Sequence, residues 1–133
     1  AAILEALENP YRDPDVPEIT KEDLEGCIPE RVLYVIARTS GEGSDRRVQP
    51  GDFELSAGEI SNLRTLTEAF QQVVVVLNVG GVIDTRPLRE ISGIGAVLLM
   101  SQVGNVSGQA LADVLTGKVT PHTSQPVALE NPR

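Results

Sequence analysis

Val73-Val74-Val75-Val76-Leu77-Asn78-Val79-Gly80-Gly81 is the stretch that decides the fold. Consecutive β-branched residues, rather than alternating ones, read as a strand buried on both faces, which is the habit of parallel sheets. The strand ends at Asn78 in a glycine-rich loop. Just upstream, Ser56-Ala57-Gly58-Glu59 is a capping box, and Ile60, Leu63, Leu66 or Thr67, and Phe70 follow at helical period. That predicts an amphipathic helix over Ala57–Phe70. Further upstream, Val32-Leu33-Tyr34-Val35-Ile36-Ala37 is a second apolar run. It reads as a central, parallel, two-sided strand. Downstream, Thr85–Ile91 reads as a short helix with Pro87 near its start, where proline is tolerated. Ala96–Met100 is a third strand, and Ser107 is expected to cap a helix over Gly108–Leu115 that Gly117 ends.

The order strand-loop-helix, repeated, predicts an α/β fold with a mostly parallel sheet sandwiched by helices and joined by right-handed crossovers. Three main strands are few for such a sheet, so it is expected to be incomplete on its own, with missing strands supplied from upstream. The expected organisation is a partial α/β sandwich domain over 1–121 and an irregular tail over 122–133. Ala1–Glu8 reads as the end of a helix stopped by Asn9-Pro10, and Tyr11–Pro17 as a charged loop. Thr20 and Asp23 suggest a weak capping box before a short helix, Lys21–Gly26. The N-terminus lacks Met and a basic leader, which suggests a segment cut from something longer.

Composition narrows the partners. The net charge of −8 argues against nucleic acid, whose binding needs a basic face, and against an anionic membrane surface. No apolar run is long enough to span a bilayer. Aromatics are 3% with no Trp, so this chain alone is a poor platform for stacking sugars. One Cys, Cys27, and one His, His122, make no metal-ligand spacing, and no cofactor is called for. Cys27 reads as a buried apolar residue. The compartment is not legible.

The loops after the strands all fall on one edge of the sheet, where parallel α/β sheets bind ligands. They are Arg38–Arg46, Asn78–Gly81 and Ser101–Ser107. The first carries the densest chemistry: Ser40-Gly41-Glu42-Gly43-Ser44-Asp45-Arg46. The plain reading is a solvated acidic turn in which Asp45 pairs with Arg46 or Arg38. A phosphate cradle fits poorly, because a carboxylate sits in the loop and no Gly-x-x-x-x-Gly-Lys motif is present. Ser-His-Asp chemistry lacks its Gly-x-Ser-x-Gly and has its sole His in the tail. Glycoside hydrolysis uses one carboxyl as proton donor and a second on the opposite face, and a glycine-flanked Glu42 suits the first role without the spacing demanding it.

The stretch Tyr34–Arg46 resembles the acid/base segment of glycoside hydrolase family three. The resemblance continues through Gly51-Asp52-Phe53-Glu54-Leu55, the helix bearing Glu59, Val73–Asp84, and Ala110-Leu111-Ala112-Asp113-Val114-Leu115-Thr116-Gly117-Lys118-Val119-Thr120-Pro121. It covers roughly residues 20 to 121, in order. The family comprises β-glucosidases, β-xylosidases and relatives. It implies a retaining enzyme in which a barrel domain carries an Asp nucleophile and a following α/β sandwich carries the acid/base Glu. By that resemblance Glu42 is the proton donor, and Arg38, Ser40, Asp45 and Arg46 bind substrate or order the loop, Asp45 and Arg46 as an ion pair.

The resemblance also implies partners: a β-linked glycoside, and the rest of the enzyme with its barrel and missing strands, either in the same polypeptide or as a separate chain. The isolated chain is then expected to be inactive. Two alternatives stay open: a non-catalytic scaffold derived from such an enzyme, and an unrelated nucleotide-binding α/β domain. Two departures stand out. Val106 occupies a position where the family commonly has Glu, and His122-Thr123-Ser124-Gln125 replaces the expected Ser-Gly-Lys-Leu.

Overall fold

The computed structural model describes residues 16–38, 46–101 and 104–121. The chain divides into two compact units after Gln102. The first is an open α/β sheet of three parallel strands in the order β1-β2-β3: β1 (Arg31–Arg38), β2 (Gln72–Val79) and β3 (Ile94–Leu99). Helix α1 (Ala57–Ala69) connects the first pair, and the short α2 (Arg86–Glu90) the second.

Each element follows from its sequence. In α1 the Ser56 Oγ accepts from the Glu59 N–H at 3.1 Å, while Glu59 Oε2 accepts from the Ser56 N–H at 2.8 Å, closing the capping box. Leu63 and Leu66 form the buried apolar stripe of this helix, and Phe70, which caps its C-terminus, joins the same core. In the sheet, Val32, Tyr34, Ile36 and Arg38 stand beside Val73, Val75, Leu77 and Val79 on one face. That face and α1 enclose the core, which Leu55 and Leu88 complete.

The expected central position of β1 is not what the described residues show. β2 is central and β1 lies at an edge of the three strands. An apolar run reports that both faces are hydrophobic, not which strand lies beside it. On the face opposite the core, Leu33 and Val35 are 48% and 52% exposed, whereas Val76 of the central strand is buried. The short helix expected over Lys21–Gly26 contracts to a single 3-10 turn, Glu22–Leu24. Its Thr20–Asp23 pairing does form: the Thr20 N–H and hydroxyl both donate to Asp23 Oδ2 at 2.8 Å. Cys27, expected to be buried, is exposed. The irregular chain before the turn is tied down by Asn62, which is 1% exposed. Its Oδ1 accepts from the Ile19 N–H at 2.7 Å, and its Nδ2 donates to the Pro17 carbonyl at 3.0 Å and the Tyr34 hydroxyl at 3.2 Å. Burial pushes the Tyr34 phenol above its ordinary value, against the opposing effect of that hydrogen bond.

The turn from α2 into β3 requires glycine. Gly93 has φ +94°, and a Cβ there would meet the Thr67 Cβ at 2.9 Å.

The second unit holds a 3-10 turn, Gly104–Val106, and α3 (Ser107–Leu115). Ser107 is the first helical residue rather than the cap, and its hydroxyl donates to the Gly104 carbonyl. The 3-10 turn starts the helix one residue early and leaves Val106 in the cap position. Gly117 follows α3 at φ +74°, its N–H bonded to the Val114 carbonyl at 3.0 Å. The tail over 122–133 lies outside the described residues.

Replacing Asn62 by Ala should strand the Ile19 N–H, the Pro17 carbonyl and the Tyr34 hydroxyl together. The expected loss is about 1–3 kcal/mol, read as a lower urea midpoint with an unchanged slope. Gly93→Ala should destabilise as well, through both the left-handed backbone and the Thr67 contact.

Candidate functional site

The site is built at the carboxyl ends of β1 and β2. Arg38 is the last residue of β1 and falls, by strand alternation, on the core face with Ile36. A guanidinium there must be paired, and it is. Its Nη1 and Nη2 donate to the two oxygens of Glu59 at 2.6 and 2.7 Å, a bidentate pair with side-chain exposures of 2% and 3%. Nε donates to the Asp52 carbonyl at 3.0 Å, Nη1 to the Ala37 carbonyl at 2.8 Å, and Nη2 at 3.5 Å to the Glu54 carbonyl. A guanidinium has five N–H donors, so none is left over for a substrate. Arg38 orders the strand exit.

Arg46 marks the other end of the segment that follows β1. Its Nη1 donates to Asp52 Oδ1 at 3.1 Å, and the Arg47 N–H donates to Asp52 Oδ2 at 2.8 Å. The chain then folds into a tight turn: the Gly51 N–H bonds to the Glu54 carbonyl at 2.9 Å and the Glu54 N–H to the Gln49 carbonyl at 3.1 Å. Arg46 also lies against the loop after β2, since a Cβ on Gly81 would stand 3.0 Å from its Nε. The first two strand-end loops are therefore brought together, as the sheet topology required. The Asp84 N–H adds a second tie, donating to the Phe53 carbonyl at 2.7 Å. Hydrogen bonds from Arg86 hold the Asp84 carboxyl below the usual carboxylate range, with burial opposing.

Of the residues singled out from sequence, Arg38 and Arg46 have described positions, and both serve this scaffold. Ser40, Glu42 and Asp45 lie outside the described residues, as do Gln102 and Val103 of the third loop. The expected ion pair of Arg46 with Asp45 falls there too, and the described partner of Arg46 is Asp52. Sequence reading missed Asp52 and Glu59 as partners of the two arginines. A signal existed for Glu59: period two puts Arg38 on the buried face, and a buried guanidinium calls for a carboxylate. Among the described residues, no group of three His, Cys, Asp or Glu side chains could hold a metal. A groove of about 430 Å³ between α1 and α2, lined in part by Arg64, Glu68 and Glu90, shares no residue with the loop scaffold.

An open parallel sheet with its first two strand-end loops gathered at the carboxyl edge defines an α/β domain, a class in which ligands commonly bind at that edge. Residues 27–132 match the glycosyl hydrolase family 3 C-terminal domain, and the chain belongs to that family. Among its relatives, beta-glucosidase A of Butyrivibrio fibrisolvens is 33% identical over 132 residues, covering 83% of this chain and 16% of that protein. A beta-glucosidase of Ruminococcus albus is 36% identical over 92 residues, covering 69% of this chain and 10% of that protein. The solved beta-glucosidase of Paenibacillus barengoltzii superposes with a TM-score of 0.72 at 31% identity, over 90% of this chain and 14% of that one. Beta-glucosidase 3B of Thermotoga neapolitana, solved in complex with glucose, gives 0.70 at 30% identity, over 89% of this chain and 18% of that one. The chain thus spans less than a fifth of each of these proteins.

Two measurements check the scaffold. Glu59→Gln leaves the buried Arg38 without its countercharge and should cost about 3–5 kcal/mol, read from the unfolding midpoint. The depressed Asp84 carboxyl stabilises the fold fully above the ordinary carboxylate range, and this contribution is lost as pH falls through the lower folded value. The stability advantage over Asp84→Asn should therefore stay level above about pH 5 and shrink as the pH falls below about 4.

Proposed function

We propose that this chain is the acid/base-bearing part of a retaining, exo-acting β-glycosidase of the β-glucosidase type. Its substrates are terminal, non-reducing β-linked sugars. Glu42 is the proton donor, and the nucleophilic Asp sits on a barrel domain outside this sequence. The observation that carries the reading is the family match over residues 27–132, and the sequence Ser40-Gly41-Glu42-Gly43, one residue past the carboxyl end of a parallel strand, supports the choice of Glu42. The β-glucosidase names of the relatives support the sugar class.

In the proposed reaction the nucleophile attacks the anomeric carbon. The glycosidic C–O bond breaks, and the Glu42 proton passes to the departing oxygen. Glu42, now a carboxylate, takes a proton from water as that water attacks the glycosyl-enzyme, so configuration is retained and the proton is restored. The donor must hold its proton near neutral pH, which a second carboxylate nearby and a water-poor site both favour. One carboxylate of the pair is absent from this chain, so the chain alone should cleave nothing. Asp45 and Ser40 are assigned to ordering the loop or contacting the sugar.

Glu42→Ala in the polypeptide joining this domain to its barrel should slow cleavage of unactivated glycosides by about 10²–10⁴-fold. Azide should restore turnover of an activated aryl glycoside by attacking the intermediate without base assistance. An unimpaired Glu42→Ala enzyme would overturn the assignment.

A further inference from the structure

Asp52 touches both ends of the segment that carries Glu42. Its backbone carbonyl accepts from Arg38 Nε at 3.0 Å, immediately before that segment. Its carboxylate accepts from Arg46 Nη1 at 3.1 Å and the Arg47 N–H at 2.8 Å, immediately after it. The two stems thus meet on one residue. The Asp52 side chain is 22% exposed and that of Arg46 13%, so the pair is sheltered from the solvent that weakens surface ion pairs. Arg46 Nε and Nη2 are buried with no acceptor among the described residues, and among those residues the bond from Nη1 to Asp52 is what holds this guanidinium. Gly81 of the neighbouring loop lies beside the same group, where a Cβ would stand 3.0 Å from Nε.

We infer that Asp52 is a positioning residue for the proton donor: by holding Arg38 and Arg46 in one register, it sets where the intervening segment presents Glu42. This rests on the acid/base reading of Glu42. A carboxylate that acts through its neighbours leaves a distinctive kinetic mark. Leaving groups that depart as stable anions need no proton, whereas poor ones do. Loss of fold lowers both rates alike, but a misplaced donor lowers only the second.

The test compares kcat/KM for a 2,4-dinitrophenyl β-glycoside and an alkyl β-glycoside of the same sugar, in the polypeptide that joins this domain to its barrel. The enzymes compared are the parent, Asp52→Asn and Glu42→Gln. Asp52→Asn keeps the backbone carbonyl that Arg38 uses and removes the charge that holds Arg46. It should lose about a hundredfold on the alkyl glycoside, the order expected for an ångström of misplacement, and under about threefold on the activated one. Arg46→Met removes the same ion pair from its other side and should give the same split, which covers the case in which Asp52→Asn does not fold. Equal losses on both substrates, or none on either, would overturn the inference. If Glu42→Gln itself shows no split, the acid/base reading fails. If Glu42→Gln splits the substrates and neither Asp52→Asn nor Arg46→Met does, that reading stands and the positioning role falls.

Discussion

The bidentate pair between Arg38 and Glu59 is the constraint on which the rest of this unit depends. Two charges withdrawn from water cost several kcal/mol each, and mutual attraction repays that only where the geometry is good and the spare donors are satisfied. Here both conditions hold. The guanidinium spends its remaining donors on the carbonyls of Ala37, Asp52 and Glu54. The carboxylate also accepts from the Ser56 N–H at the start of α1, where the helix dipole favours a negative charge. One carboxylate therefore caps the helix and neutralises the strand end. A well-packed apolar pair could match its stability but would fix no register between strand exit, turn and helix start.

That register decides what happens at the edge of the sheet. A parallel strand can release its chain in many directions, and glycine-rich segments add more. The Asp52 carbonyl on Arg38 and the Asp52 carboxylate on Arg46 tie the chain after β1 to itself, and the Asp84 N–H on the Phe53 carbonyl links it to the loop after β2. The sheet has the opposite character away from this edge. Parallel sheets are normally covered on both faces, yet Leu33 and Val35 are half exposed on the face opposite α1.

Local pattern made most of the scaffold legible. The capping box at Ser56–Glu59, the helical stripe through Leu63 and Leu66, and the valine run of β2 each encode their own conformation within a few residues, and each formed. What local pattern could not deliver is adjacency. Arg38 and Glu59 are 21 residues apart, so no window of sequence joins them, and the position of β1 beside rather than between other strands is a property of the assembled sheet. Asp52 was the hardest to see. It sits in a short polar turn where an acid usually faces water, and its importance comes from two arginines that only the folded turn brings within reach.

A proton donor has to satisfy two demands that pull apart. It must reach the leaving oxygen within hydrogen-bond distance, and it must adapt when its role reverses from acid to base. A side chain on the strand itself would be rigid but set back in the sheet, while one on a free loop would reach but wander, and an ångström of wandering is worth about a hundredfold in rate. In the sequence Glu42 is flanked by Gly41 and Gly43, the residue type with the widest choice of backbone angles. Arg38 and Arg46, clamped on Asp52 and Glu59, withdraw that latitude at the two stems. In the proposed reading, the two arginines serve Glu42 by fixing the chain on either side of it, and the carboxylate that holds Arg46 comes from Asp52, a residue outside the motif.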